Sequence, residues 1–408
     1  MNRELEDLLR SEAPQVLGAL VRRFGRFDSA EDAVQEALLA AAQTWPQDGI
    51  PQEPRSWLIR IAYRRMVDLL RSDAARHRRE MQVGAVELAM AEPARVHVPD
   101  VRDDSLILLQ LCCHPALGHT SQVALTLRAV GGLTTAEIAH AYGAAEATMG
   151  SRISRAKQQL AKAGARFMPL TDADRDQRMP AVLRVLYLIF NEGYTASAGA
   201  DLARVDLSSE AIRLTRMLHA TVPDDAEVVG LLALMLLTDS RRAARSSAGE
   251  LIPLDAQDTA LWNRDLIAEG TALVDGVWNT GSAGPYLLQA AIAAVHAAAA
   301  ETGRTDWPQI AMLYLWLERL TPTAPVQLSR VVAVSHAYGP ARGLALLDDL
   351  NRRHHLDENP LTRHRERSVR AHLLDSNGDH AAAAEMFREA AELTANEVEQ
   401  RYLRGKAD

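Results

Sequence analysis

The sequence predicts an all-α protein: two small helical domains followed by a larger helical array. Three observations lead there. Of 408 residues, 48% are hydrophobic but only 5% aromatic, and the apolar set is rich in alanine and leucine, which suit helices better than strands. Apolar residues recur at helical spacing along most of the chain. Glycines and prolines mostly separate these stretches and mark helix ends.

Leu5 to Phe24 places Leu5, Leu8, Leu9, Val16, Leu17, Leu20 and Phe24 on an inner face, and Gly25 stops the helix. Ser29 reads as the cap of the next helix, AEDAVQEALLAAAQTW, whose Val34, Ala37, Leu38 and Ala41 point inward and whose Asp32, Gln35 and Glu36 group outside. Prolines 46, 51 and 54 form a loop before RSWLIRIAYRRMVDLLRS. In that third helix Trp57, Leu58, Ile61, Ala62 and Leu69 read as core, while Arg60, Tyr63, Arg64, Arg65 and Arg71 fill the remaining circumference. Residues 81–102 lose periodicity and read as a linker between domains 1–80 and 103–168.

Within the second domain, LTTAEIAHAYGAA pairs Thr134 with Glu137 in a capping box, flanked by Leu133 and Ile138 as a hydrophobic staple. A turn at Tyr142-Gly143 leads into EATMGSRISRAKQQL. There Met149, Ile153, Ala156 and Leu160 form one apolar stripe. Opposite lie Thr148, Ser151, Arg155 and Gln158, with Arg152 and Lys157 on the flanks. An ordinary solvated face mixes signs; this one offers hydroxyls, amides and cations, which suit base edges and phosphates. Helix, tight turn and polar-faced second helix together make a helix-turn-helix.

The remainder, 171–408, reads as helical almost throughout. In NGDHAAAAEMFREAAEL, Gly378, Ala383, Phe387, Ala390 and Leu393 stand at tetratricopeptide spacings, and Gly343, Leu347 and Leu350 repeat the idea loosely. An unspecialised antiparallel helical array remains the alternative.

Charge divides unevenly. The net −8 falls almost wholly on the C-terminal part: residues 1–170 carry 21 Lys+Arg against 20 Asp+Glu, and Arg55 to Arg79 carries eight arginines against two aspartates. That segment is a local phosphate-binding signal inside an acidic protein. No stretch is long and apolar enough to span a membrane, and Met1 to Arg10 lacks the apolar core of a secretory signal, so a cytoplasmic location is expected. Adjacent Cys112 and Cys113 cannot build a disulfide framework. With His114 they lack metal-ligand spacing, and His354 and His355 read as exposed loop residues, so neither a metal nor a cofactor is expected. No phosphate-cradling glycine loop or nucleophile elbow appears, so the chain is not expected to be an enzyme. The polar NEGY cluster, Asn191 to Tyr194, suits a helix end that turns one helix onto the next, or the lining of a pocket.

AEDAVQEAL, SWLIRIAYRRMVDLLR and LTTAEIAHAYGAAEATMGSRISRAK, in that order, resemble the extracytoplasmic-function sigma factors of the sigma-70 superfamily. LCCHPAL, YLIFNEGYTAS, DLSSEAIRL, GPYLLQAAIAAVHA and TDWPQIAMLY extend the resemblance to the subgroup with a long C-terminal extension. The resemblance implies two partners, core RNA polymerase and promoter DNA, and no membrane. It assigns Asp32, Gln35 and Glu36 to polymerase docking. It gives Trp57, Arg60, Tyr63, Arg64, Arg65 and Arg71 to recognition and melting of the −10 element, and Thr148, Ser151, Arg152, Arg155 and Lys157 to the −35 element. The acidity and fused position of the extension suggest that it meets a regulatory protein or makes an intramolecular contact. Three positions depart from the family: Ala145 at the usual cap, Gly150 inside the recognition helix, and Arg65 where asparagine is common. The alternatives are a helix-turn-helix regulator with a tetratricopeptide-like sensor that acts without replacing sigma, and an interaction scaffold.

Overall fold

The computed structural model describes residues 3–80, 104–142, 144–165, 167, 172–195, 205–247, 250–279 and 283–407. The linker expected at 81–102 and the glycine at 143 lie outside them. The chain divides into two compact units, Met1–Leu186 and Tyr187–Asp408. The boundary between the units falls inside a continuous helix.

The first unit opens with α1 (Arg3–Phe24), α2 (Phe27–Asp48) and α3 (Pro54–Glu80). Gly25, at φ +69°, supplies the left-handed residue that ends α1. Helix α2 starts two residues before Ser29: Arg26 is the N-cap residue, and the Ser29 side chain is buried in the first turn. Burial of Phe27 and Ala30 draws the start of α2 forward past the polar cap signal. In α3 the fully buried residues are Leu58, Ala62 and Met66, with Ile59 close behind, while Trp57, Ile61 and Leu69 are only half-buried. The core stripe is thus rotated from the expected one, with Met66 fully buried and Leu69 only half-buried.

Next come α4 (Ser105–Cys112), α5 (His119–Ala129), α6 (Thr135–Ala141) and α7 (Glu146–Lys162). Helix α8 (Asp172–Tyr194) spans the boundary. Its Arg178 donates to the Gln110 carbonyl within the first unit, and Val182 and Leu183 are buried.

The second unit continues with α9 (Val205–Thr221) and α10 (Ala226–Asp239). A short hairpin, which the sequence did not signal, follows: β1 (Ser246–Ser247) against β2 (Glu250–Leu251), paired Ser246 to Leu251 and Ser247 to Glu250. Then come α11 (Arg264–Val277), α12 (Pro285–Thr302), α13 (Trp307–Leu320) and α14 (Ala324–Tyr338). The unit closes with α15 (Pro340–His354), α16 (Arg363–Ser376), α17 (His380–Leu393) and α18 (Glu397–Ala407). Asp225, Asn263 and Asp306 each cap a following helix through backbone N–H groups. The core of α10 to α14 is built from leucine, isoleucine and alanine, including Leu237, Leu287, Ile310 and Leu317. The NEGY cluster closes α8: Tyr194 stacks on Phe190 and accepts the Arg245 guanidinium over its ring, 3.7 Å from the centroid.

At the expected repeat, Gly378 takes φ +90° between α16 and α17, and Ala383, Phe387 and Ala390 are buried as the spacing requires. Leu393 instead is exposed at the last turn of α17. His354 ends α15 rather than lying in a loop, and His355 after it takes a left-handed φ of 52°. No helix among the described residues is long and apolar enough to cross a membrane.

Candidate nucleic-acid and polymerase interface

Three faces of the first unit carry the predicted residues. The first is α7, positioned by the helices before it. The Thr134 backbone N–H donates to Glu137 Oε2 at 2.7 Å, and the Glu137 N–H donates to Thr134 Oγ1 at 3.1 Å, so the capping box forms as the sequence implies. Leu133 and Ile138 are buried beside it. Burial by itself would raise the Glu137 pKa. The two bonds with Thr134 and the Arg10 guanidinium outweigh it and hold the carboxyl below its usual range.

Helix α7 buries Met149, Ile153, Ala156 and Leu160 and leaves Thr148, Ser151 and Arg155 exposed. Its polar face therefore points to solvent along one side. Arg155 donates through Nε to the Ser151 carbonyl at 3.2 Å, which leans its side chain back along the helix. Arg152 is half-buried. Ala145 is extended and provides no side-chain cap, so α7 begins with unsatisfied N–H groups near the predicted DNA face. A Cβ at Gly150 would meet only Thr135 Cγ2, at 3.8 Å. Gly150→Ala is therefore expected to stabilise the first unit by up to about 1 kcal/mol, read as a rise in urea midpoint.

The second face is α3. Arg60, Arg64, Arg65 and Arg71 are all exposed. Arg60 and Arg64 make no ion pair among the described residues, Arg71 lies 4.0 Å from Asp68, and Arg65 pairs with Glu36 of α2. Trp57 sets its ring edge-on to Trp45, 5.3 Å between centroids, and Tyr63 tilts against Phe24 at the same separation. Both aromatics are half-buried, so each keeps part of its surface open to solvent.

The third face is α2, where Asp32 is exposed and Gln35 and Glu36 are half-buried. Glu31, one residue before Asp32, is a residue the sequence reading passed over. Its side chain is 3% exposed and accepts from Arg128 Nε of α5 at 2.8 Å and from Lys157 Nζ of α7 at 2.9 Å. Lys157 also donates to Asp32 at 2.7 Å, and its own side chain is 11% exposed. Burial alone would lower the Lys157 pKa, but the Glu31 and Asp32 carboxylates reverse the sign and raise it. A predicted DNA contact is thus held against a predicted polymerase contact. The available signal was a carboxylate at i−3 from Val34 on an apolar stripe, which asks for a buried cation elsewhere in the chain.

Cys112 and Cys113 are both buried. The Cys112 thiol lies 3.8 Å from the Leu125 carbonyl, and burial pushes Cys113 up to about 12 against the opposing influences of Thr126 and Arg178. Such thiols are poor nucleophiles and poor metal ligands at neutral pH. Among the described residues no three His, Cys, Asp or Glu side chains are grouped to hold a metal ion.

Comparison with known proteins agrees with this arrangement. Residues 8–76 match the model for sigma-70 region 2 and residues 111–160 the model for sigma-70 region 4. Residues 178–277 match a family of unknown function. An uncharacterised protein of Rhizobium meliloti (strain 1021) is 41% identical over 98% of this chain and 94% of its own length. The extracytoplasmic-function RNA polymerase sigma factor SigK of Mycobacterium ulcerans (strain Agy99) is 27% identical over 36% of this chain and 78% of its own length. The corresponding SigK of Mycobacterium tuberculosis (strain ATCC 25618 / H37Rv) is 26% identical over the same shares. No solved structure matches. A region-2 module and a region-4 module in this order define a sigma-70-type protein. The chain belongs to the extracytoplasmic-function sigma factors of the sigma-70 family and carries a long C-terminal extension.

Proposed function

We propose that the protein binds core RNA polymerase and directs it to promoters, with Asp32, Gln35 and Glu36 docking on the enzyme. The observation that carries the reading is α7: a buried apolar stripe beneath an outer face with no acidic group from Thr148 to Lys157, mounted on a formed capping box. On this reading Ser151, Thr148 and Arg155 meet base edges of the −35 element and Arg152 meets phosphate, as a recognition helix does in the major groove. Arg60, Arg64, Arg65 and Arg71 hold backbone phosphates near the −10 element. The open sides of Trp57 and Tyr63 support unstacked bases of one strand, and this stacking offsets the cost of separating the duplex. The work is done by binding energy, and no covalent step is required of the protein.

The second unit acts, on the same reading, as a fused regulatory or protein-interaction domain. Its acidity and helical array suit contact with another protein surface or with the chain's own modules.

The test is run-off transcription with purified bacterial core polymerase. Promoter-dependent transcripts are expected with the full chain. Arg155→Ala is expected to remove about 1–3 kcal/mol of discrimination at a single base pair of the −35 element while leaving polymerase affinity unchanged. A protein that binds closed operator DNA tightly alone and yields no transcript with core enzyme would overturn the proposal. For the extension, the informative truncation ends at Leu186 rather than near residue 171, because the earlier cut removes Arg178, Val182 and Leu183 from the first unit.

A further inference from the structure

Residues of α11, α12, α13 and α14, all within the second unit, line a cavity of about 940 Å³ with a mouth open to solvent. Small-molecule sites span about 300–1,000 Å³, so the space is of ligand size. Its floor is apolar, with Val274, Ala291 and Leu313 buried there. Room remains because α12 turns Ala291, Ala294 and Ala298 toward it, where longer side chains would fill the gap.

The aromatic residues of the wall differ in what they can offer. Trp307 is held by two imidazoles, His336 stacked on it at 4.1 Å and His296 edge-on at 5.3 Å. Trp278, at the end of α11, is half-buried against the core and meets no other ring and no cation among the described residues. It is therefore the indole with π surface to give.

Charge around the mouth is lopsided. Asp275 stands three residues before Trp278 and so shares its side of α11, and Asp306 lines the cavity from the start of α13. Neither carboxylate has an ion-pair partner among the described residues, although Asp306 Oδ1 accepts from the Gln309 N–H at 3.0 Å. Against them stands Arg304. Burial lowers the pKa of both His296 and His336, so these imidazoles stay neutral at pH 7 and add no positive charge.

An open indole beside a carboxylate attracts a cation, and the apolar floor suits an uncharged body attached to it. We propose that this cavity is a binding site for a small organic ammonium compound. The apolar part of the ligand lies over Ala294 and Leu313, and its ammonium sits between the Trp278 ring and the Asp275 carboxylate. Asp306 supplies a second negative charge, and Thr302 and Gln309 offer hydrogen bonds to polar substituents. The site gives the second unit a small-molecule ligand and stands apart from the sigma-factor reading of the first.

The experiment is calorimetric titration of the full chain at neutral pH with three probes that share one ring: benzyltrimethylammonium, benzyl alcohol and phenylacetate. An ionic strength of about 0.15 M screens the long-range pull of the protein's net charge of −8. Benzyltrimethylammonium is expected to bind one-to-one with a Kd of about 1 mM or tighter. Benzyl alcohol is expected to bind about tenfold more weakly, which is the worth of a cation over an indole, and phenylacetate not measurably. Indole N–H NMR signals report the place: the Trp278 signal, assigned with Trp278→Phe, shifts with the ammonium probe, while those of Trp45 and Trp57 in the first unit do not. Asp275→Asn is expected to weaken the ammonium probe about threefold, as the loss of one exposed charge should. Ala294→Leu, which fills the space without changing charge, is expected to abolish binding. Circular dichroism identifies a variant that has merely unfolded, and Asp275→Asn, on the exposed rim, decides where Ala294→Leu fails to fold. Equal affinity for the three probes, a preference for phenylacetate, a Trp278 signal that stays in place, or no heat from any probe at millimolar concentration overturns the site.

Discussion

Glu366→Ala is expected to lower the stability of the second unit by about 1–3 kcal/mol, because it takes the acceptor away from a buried amide and from two half-buried arginines. The Glu366 carboxylate, fully buried on α16, accepts from Asn351 Nδ2 at 2.9 Å, Arg367 Nη1 at 2.7 Å and Arg370 Nε at 2.8 Å. The two arginines continue outward to Glu389 and Asp348, so one residue ties α15, α16 and α17 into a single polar network. Truncating it removes the acceptor at the centre and leaves Arg367 and Arg370 facing a cavity. Chemical denaturation should show a shifted midpoint with an unchanged slope. A loss below about 1 kcal/mol would mean that solvent reaches the network, contrary to its burial.

The second large effect is a pH dependence. Burial, aided by Arg241 and by His336, pushes the His296 pKa down to about 4. Its imidazole packs edge-on to Trp307, whose other face stacks on His336 at 4.1 Å. Burial lowers His336 as well, against a smaller upward pull from Asp255. Because the folded pKa lies below the unfolded value, the unfolded chain takes up more protons between pH 6.5 and 4. Stability is therefore complete above about pH 6.5 and is lost as the pH falls toward 4, by about 3 kcal/mol from His296. Thermal unfolding across that range should show the decline, and His296→Phe, which keeps a ring against Trp307, should flatten it. An unchanged slope in the variant would show that His296 is not the responsible group.

Much of the fold was legible because its signals are local. The α7 stripe of Met149, Ile153, Ala156 and Leu160 and the Thr134–Glu137 box each occupy a few turns of chain, and both form as read. Where short-range cues competed, packing won: Phe27 and Ala30 overrode the Ser29 cap, and Met66 displaced Leu69 from the α3 core. The short hairpin near residue 250 carried no alternating pattern, having only two residues in each strand. The partners of Glu31 were not legible for a different reason. They stand 97 and 126 residues away, and no periodicity reports which distant cation a buried acid will meet. The residues expected on each face could be listed from the sequence one by one, whereas the contacts that join α2 to α7 could not.

One glycine sets another close approach. Gly18 of α1 lies against the Asp104 side chain, and a Cβ built there would run into it. The contact of α1 with the residue that precedes α4 is thus keyed to a single missing methyl. Among homologues that differ at position 18, the closeness of α1 to the start of α4 would vary with the bulk of that one side chain.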